Sequence, residues 1–291
     1  MGSRLRAGWV AVLAGLFAAS LLGAEGGWQI TPARAQVASR AEEVLRRTEE
    51  NRVRLIPRPV REQSFVYRVV APPEKGKEKQ EKAAEGEEAK ERELGRMRLR
   101  FALESNLFED EKVLVEQTFE GRSQVRRLAC YLDPLTFKPE RMESSFTFAG
   151  VDYELRGDYY FDRIMISNSS ENSSYMGRLR YVEGSVDHES LPWVVLSIDF
   201  EDLARHPRYL VVNFIPEEEV YVAGVSLSPA RAKWQGAELE AYRITLSYGE
   251  FAEEFTVTAA EPRLILSFTA RGLRYELEEV GEVRERSEFL R

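Results

Sequence analysis

The sequence alternates. In the stretch Arg96–Leu103, apolar Met97, Leu99, Phe101 and Leu103 are interleaved with Arg96, Arg98 and Arg100. Phe146 and Phe148 alternate with Ser145 and Thr147, and Tyr242, Ile244, Leu246 and Tyr248 with Arg243, Thr245 and Ser247. Leu264, Leu266 and Phe268, then Leu273, Tyr275 and Leu277, repeat the pattern. Successive side chains of an extended strand point to opposite faces, so each run has one dry and one wet face. Turn signals separate the runs: Glu120-Gly121, Asp133-Pro134, Ala149-Gly150, Arg156-Gly157-Asp158, Tyr248-Gly249 and Arg271-Gly272. Such spacing belongs to an antiparallel meander, and about eleven strands are expected. Tyr209–Ile215, apolar apart from Asn213, reads as a strand covered on both faces.

Three segments depart from this pattern. Arg4 and Arg6 precede the uncharged run Ala7–Ala24, and small residues follow it, which is the layout of a secretory signal peptide over residues 1–35. Cleavage is expected after Ala35 or after Gly26. The mature chain would be exported, periplasmic or extracellular, with no integral membrane span. Residues 36–54 place Val37, Ala41, Val44, Leu45 and Thr48 on one helical face, and Ser39 with Glu42 forms a capping box. Residues 36–63 are therefore read as an amphipathic helix and linker, ended by Pro57 and Pro59. Of residues 74–93, eight are Glu and six are Lys or Arg. That composition buries too little apolar area to offset its ordering entropy, so a charged disordered insert is expected inside a β domain of residues 64–291.

Composition removes whole classes of function. Forty-one Lys and Arg against forty-nine Asp and Glu leave a net charge of −8. Loss of the signal takes Arg4, Arg6, Arg34 and Glu25 with it and moves the charge to −10. An acidic chain lacks the basic face on which nucleic-acid affinity rests. With two His and one Cys there is no disulfide framework, no redox pair and no zinc site of the usual Cys and His types. No metal and no cofactor is expected.

The strongest enzyme motif is Asp187-His188-Glu189-Ser190. A serine hydrolase needs its base within hydrogen-bond reach of the nucleophile, and adjacent residues on a turn seldom reach that geometry. Ser190, Pro192 and the apolar residues after them read instead as the start of a short internal helix, which could plug or close a barrel. Cys130 reads as a small buried hydrophobe. His206 reads as a surface loop residue. No catalytic residue is assigned, and the protein is read as non-enzymatic.

Together these elements give a mainly β fold: a single highly curved antiparallel sheet or half-open β-barrel with an N-terminal helix and one short internal helix. A packed sandwich and a transmembrane barrel are the rivals, because alternation does not say whether the dry face points in or out.

The opening AEEVLRRTEEN, leading into successive strands, resembles the bacterial lipoprotein-carrier superfamily. The segment YLDPLTFKPERMESSFTFAGVDYEL is similar to an uncharacterised family of exported bacterial β-rich proteins. The first resemblance implies a half-open barrel that holds an acyl chain or a lipoprotein. On that reading Phe146, Phe148, Trp193, Tyr242, Ile244 and Leu246 are candidate wall residues for a hydrophobic ligand. The alternative is an envelope structural or assembly protein that meets a protein partner through its exterior and strand edges. An open apolar cavity above roughly 300 Å3 would favour the first and a packed interior the second.

Overall fold

In the computed structural model the alternating runs become neighbouring strands of one sheet. It describes residues 51–60, 62–71, 91–105, 111–121, 125–148, 150–171, 173–206, 208–215, 218–249 and 251–282. The expected signal peptide, the amphipathic helix up to residue 50 and the charged insert up to residue 90 lie outside the described residues. Near the end of the expected helix Arg52 already bridges to Tyr209, and in the linker Leu55 bridges to Ile198. Arg92 and Glu93, expected in the insert, already belong to a strand.

Eight strands come first: β1 Gln63–Ala71, β2 Arg92–Ser105, β3 Glu111–Gly121, β4 Val125–Leu132, β5 Pro139–Phe148, β6 Val151–Tyr159, β7 Arg163–Ser170 and β8 Ser173–Arg180. A two-residue strand, β9 (Val186–Asp187), leads into a 3-10 turn, His188–Ser190, and two short helices, α1 (Leu191–Leu196) and α2 (Phe200–Arg205). Six strands follow: β10 Arg208–Phe214, β11 Glu219–Trp234, β12 Ala237–Tyr248, β13 Phe251–Thr258, β14 Ile265–Ala270 and β15 Leu273–Glu282.

Among the described residues the strands number fifteen, not about eleven. Arg156-Gly157-Asp158, read from sequence as a turn, lies inside β6. A Cβ on Gly157 would meet the Ile215 side chain at 3.4 Å, so this glycine marks a close approach inside a strand. Conversely, Gln235 and Gly236 have φ of 50° and 79° and form the two-residue turn between β11 and β12. The second helix was not expected either. It starts at Asp199, whose side chain accepts from the backbone N–H groups of Glu201 and Asp202, both at 3.1 Å.

Sheet order runs β8-β7-β6-β5-β4-β3-β2-β1-β15-β14-β13-β12-β11-β10-β9. Every pair is antiparallel except β9–β10. Because β1 pairs with both β2 and β15, the two edges are β8 and β9, which are consecutive in the chain. Among the described residues no ladder joins these edges. Side chains span the seam instead: Ile215, just after β10, packs on Gly157, and the Tyr175 hydroxyl donates to Glu218 at 3.3 Å. The sheet is thus rolled into a barrel-like shape that stays open in hydrogen-bonding terms.

The dry faces point inward. Leu99, Phe101, Val113, Val115, Ile164 and Phe255 are all within 1% of complete burial. β10 is buried on both faces from Leu210 to Phe214, as its continuous apolar run requires. The outer face carries ion pairs between neighbouring strands, among them Arg100–Glu116 at 3.1 Å, Arg141–Asp158 at 3.2 Å and Arg156–Glu143 at 3.9 Å. An Arg or Lys on the lipid face of a transmembrane barrel costs about 2–4 kcal/mol at the midplane. Outward ion pairs of this kind weigh against a lipid-facing exterior. Among the described residues no helix is long and apolar enough to cross a membrane.

Candidate functional site

The segment from Val186 to Ile198 runs through the barrel and fills it. Every one of its residues is buried. In α1, Val194 and Val195 are completely covered, and the Trp193 ring meets Phe101 of β2 edge-on with centroids 5.1 Å apart. Pro192 occupies the first turn of α1, where its missing N–H leaves no helical bond unmade. Burying each of these aliphatic or aromatic side chains contributes about 1.5–3 kcal/mol relative to exposure.

Three consecutive residues tie this segment to different walls. The Tyr159 hydroxyl, on β6, donates to the Asp187 carboxylate. Nε2 of His188 lies 2.9 Å from Oε1 of Glu253 on β13, and the His188 ring packs at a tilt of 33° on Phe214, 4.1 Å between centroids. Oε1 of Glu189 accepts from Arg126 of β4 at 3.2 Å and from Arg271, in the β14–β15 turn, at 2.7 Å. The Glu189 carbonyl accepts from Gln117 of β3 at 2.8 Å. Strands far apart around the barrel therefore converge on one short turn. Their polar side chains sit on otherwise dry faces: Glu253 shares its face with Phe255 and Val257, and Arg126 shares its face with Leu128 and Cys130.

Charge balances inside this cluster. Asp187, Glu189 and Glu253 face His188, Arg126 and Arg271, three acids against three bases when His188 is protonated. Burial works against the His188 cation, but Glu253 and Glu189 outweigh it and lift the imidazole to about 9. Burial would raise Glu189 too, yet Arg271 and Arg126 hold it well below the usual carboxylate range. For Asp187 burial prevails, opposed by the Tyr159 hydrogen bond, and its carboxyl rises to about 6. Buried charges persist only when paired and hydrogen-bonded, and removal of one partner exposes that cost.

The same arrangement occupies the residues of the sequence motif. Ser190 Oγ donates to the Asp187 carbonyl at 2.7 Å, while His188 Nε2 is engaged by Glu253. Ser190 is completely buried. These bonds hold the turn in place. Among the described residues no group of three His, Cys, Asp or Glu is placed to hold a metal ion. Cys130 is buried, and burial pushes its thiol well up.

At the opposite end, Arg263 closes the filling segment. Its Nη1 donates to the carbonyls of Leu196 at 3.0 Å and Ile198 at 2.6 Å, and its guanidinium lies 3.5 Å from the Phe200 ring centroid.

The structure places the six candidate wall residues on three elements, β5, α1 and β12. Ile244 and Leu246 are completely buried in the packed interior, and Trp193 belongs to the filling helix. Phe146 is half-buried and stacks on Tyr153 of the adjacent strand at 5.2 Å. Phe148 pairs with Val151 at the end of β5, and its side chain lies outside the described residues. Tyr242 packs on Phe200 at 5.2 Å and borders a shallow, solvent-open depression of about 490 Å3. Ala230, Arg231, Glu240 and Ala241 line that depression too, so its lining mixes charged and small side chains.

No family model matches the sequence, and no curated protein matches it. Among solved structures, a β-barrel-like protein of a domain of unknown function, DUF1849, from Brucella abortus is similar in fold. Its TM-score is 0.50 at 9% identity, covering 78% of this chain and 100% of that one. At that identity the likeness speaks for a β-barrel-like fold alone, and the expected kinship with lipoprotein carriers is no part of it.

Proposed function

We propose that this is an exported, non-enzymatic envelope protein that acts through its exterior, as a structural or assembly component, with its barrel interior serving as a packed core. The observation that carries this reading is the buried segment Val186–Ile198, which occupies the space an acyl chain would need. Residues 4–35, with their basic start, apolar middle and small-residue end, support export. Ser190 and His188, each committed to a structural bond, support the non-enzymatic assignment.

Holding a hydrophobic ligand inside the barrel, the alternative role, would require α1 to leave. That displacement would break the contacts of Asp187, His188 and Glu189 and strand buried charges on the walls. The depression beside Tyr242 is open to water and edged by Arg231 and Glu240. The mature protein is to be titrated with an environment-sensitive fluorescent fatty acid and extracted for co-purified lipid. Neither binding nor lipid is expected; saturable probe binding that displaces α1 would overturn the proposal.

A further inference from the structure

Apolar side chains gather at one end of the barrel. Successive strands alternate in direction, so the β4–β5 turn, residues 133–138, and the β6–β7 turn, residues 160–162, lie at the same end. Two strand spacings, about 10 Å, separate them. Leu135 is 70% exposed in the first turn, and in the second Phe161 is 87% and Tyr160 49% exposed. Neither turn is loose. The Asp133 carboxylate accepts from the backbone N–H groups of Leu135 at 3.0 Å and Thr136 at 2.7 Å. Phe137 takes a left-handed φ of 59° and is buried, so it anchors the turn from below while Leu135 stands in solvent. A non-glycine residue in that region is strained, and here the strain supports a turn whose tip is apolar and wet. Tyr160 N–H donates to the Arg163 carbonyl at 2.8 Å, and Tyr181 N–H, just past β8, donates to the Asp162 carbonyl at 3.2 Å.

We propose that this rim docks on the surface of a phospholipid membrane, with Leu135, Tyr160 and Phe161 entering the headgroup layer. The proposal rests on the reading that the exterior is the working surface, and it names what that surface meets. Aromatic rings favour the membrane–water interface, and the strength of interfacial binding scales with the apolar area buried there. Charge at the rim suits anionic headgroups. Residues 133–138, 160–163 and 178–184 carry four Arg or Lys and three Asp or Glu. The Arg52 guanidinium lies on Gly184, where a Cβ would collide with it, and adds a fifth cation. Five bases against three acids contrast with a chain whose total is −8. Arg163 and Arg178 share Asp162 at 3.3 and 3.5 Å, an exposed pairing that is weak and leaves one positive charge over. Lys138 Nζ lies 5.8 Å from the Tyr181 ring centroid, and the Arg163 guanidinium lies 5.7 Å from that of Tyr160. Cations beside aromatic rings are the usual anchors of an interface, the rings in the headgroup layer and the charges reaching to phosphate. The described chain also enters the fold here, since Arg52 sits on Gly184, downstream of the apolar run Ala7–Ala24 that the export reading places in the membrane.

Co-sedimentation of the full mature chain with phospholipid vesicles tests this. Vesicles of phosphatidylethanolamine and phosphatidylglycerol supply an anionic surface, and phosphatidylcholine alone a neutral one. Wild-type protein is expected to bind the anionic vesicles, and the neutral ones about tenfold more weakly. Phe161→Ser and Leu135→Ser are each expected to weaken binding about tenfold, because each takes a large apolar side chain out of the contact. Val125→Ser removes an exposed apolar side chain at the opposite end, where β4 begins, and is expected to leave binding unchanged. None of the three should change folding, since each side chain is well solvated, and circular dichroism checks this. A wild type that ignores both kinds of vesicle overturns the proposal. So does binding that survives both tip substitutions, or that falls equally with Val125→Ser. The filled-barrel reading would survive any of these failures, because it falls only on the fatty-acid titration.

Discussion

Replacement of His188 by Gln isolates the electrostatics of the buried cluster. With its imidazole raised to about 9, His188 is protonated in the folded protein at neutral pH, against an ordinary value of 6.5. The folded state therefore holds this proton more tightly than the unfolded chain. That stabilisation is fully present below pH 6.5 and is lost as the pH rises through 9. A difference of about two and a half units corresponds to roughly 3 kcal/mol. Asp187, raised to about 6, changes stability at lower pH and leaves the upper window to the histidine. Urea unfolding followed by tryptophan fluorescence at pH 6 and pH 9 is the assay. The wild type is expected to lose about 3 kcal/mol between the two. His188→Gln should be less stable at pH 6 by about 3–5 kcal/mol, because Glu253 is left buried without its cation. It should then show little further loss on going to pH 9. Equal pH slopes for the two proteins would refute the assignment of a buried, charged His188.

Three further outcomes follow from the same contacts. Glu189→Gln removes the carboxylate shared by Arg126 and Arg271 and should cost about 3–5 kcal/mol in urea unfolding, since two guanidinium groups lose their counter-charge. Trp193→Ala opens a void against Phe101 and should cost about 3–5 kcal/mol by the same measurement. The Cys130 thiol, buried and raised, should resist a thiol-specific chromogenic reagent in the folded protein and react only as fast as the chain unfolds.

Much of the fold was legible because alternation reports a one-sided sheet directly. The strands around Met97–Leu103, Tyr242–Tyr248 and Leu273–Leu277 fall where the period-two pattern puts them. The strand number was harder, since a glycine in a strand and a glycine in a turn look alike until Ile215 is seen against Gly157. The direction of the dry face was not legible either; it became plain only from the outward ion pairs such as Arg100–Glu116. The polar cluster escaped because Arg126, Glu253 and Arg271 stand 63 to 82 residues from the His188 or Glu189 side chains they meet. One signal was nevertheless present. Within Phe251–Thr258, Glu253 occupies the same face as Phe255 and Val257, and a carboxylate on a dry face demands a buried partner. The motif Asp187-His188-Glu189-Ser190, weighed as a catalytic constellation, supplies that partner. Its clustering reflects how a filling segment is tied to its barrel.

Amide hydrogen exchange across Leu191–Ile198 tests the central claim most directly, because it reports whether the filling segment ever leaves the barrel. If the segment is a permanent core, its amides should exchange only through global unfolding and rank with the slowest in the protein, with the free energy of exchange matching that from urea. Exchange of this segment well ahead of β10 and β13 would contradict the account, because it would show a barrel that opens and an interior available to a ligand.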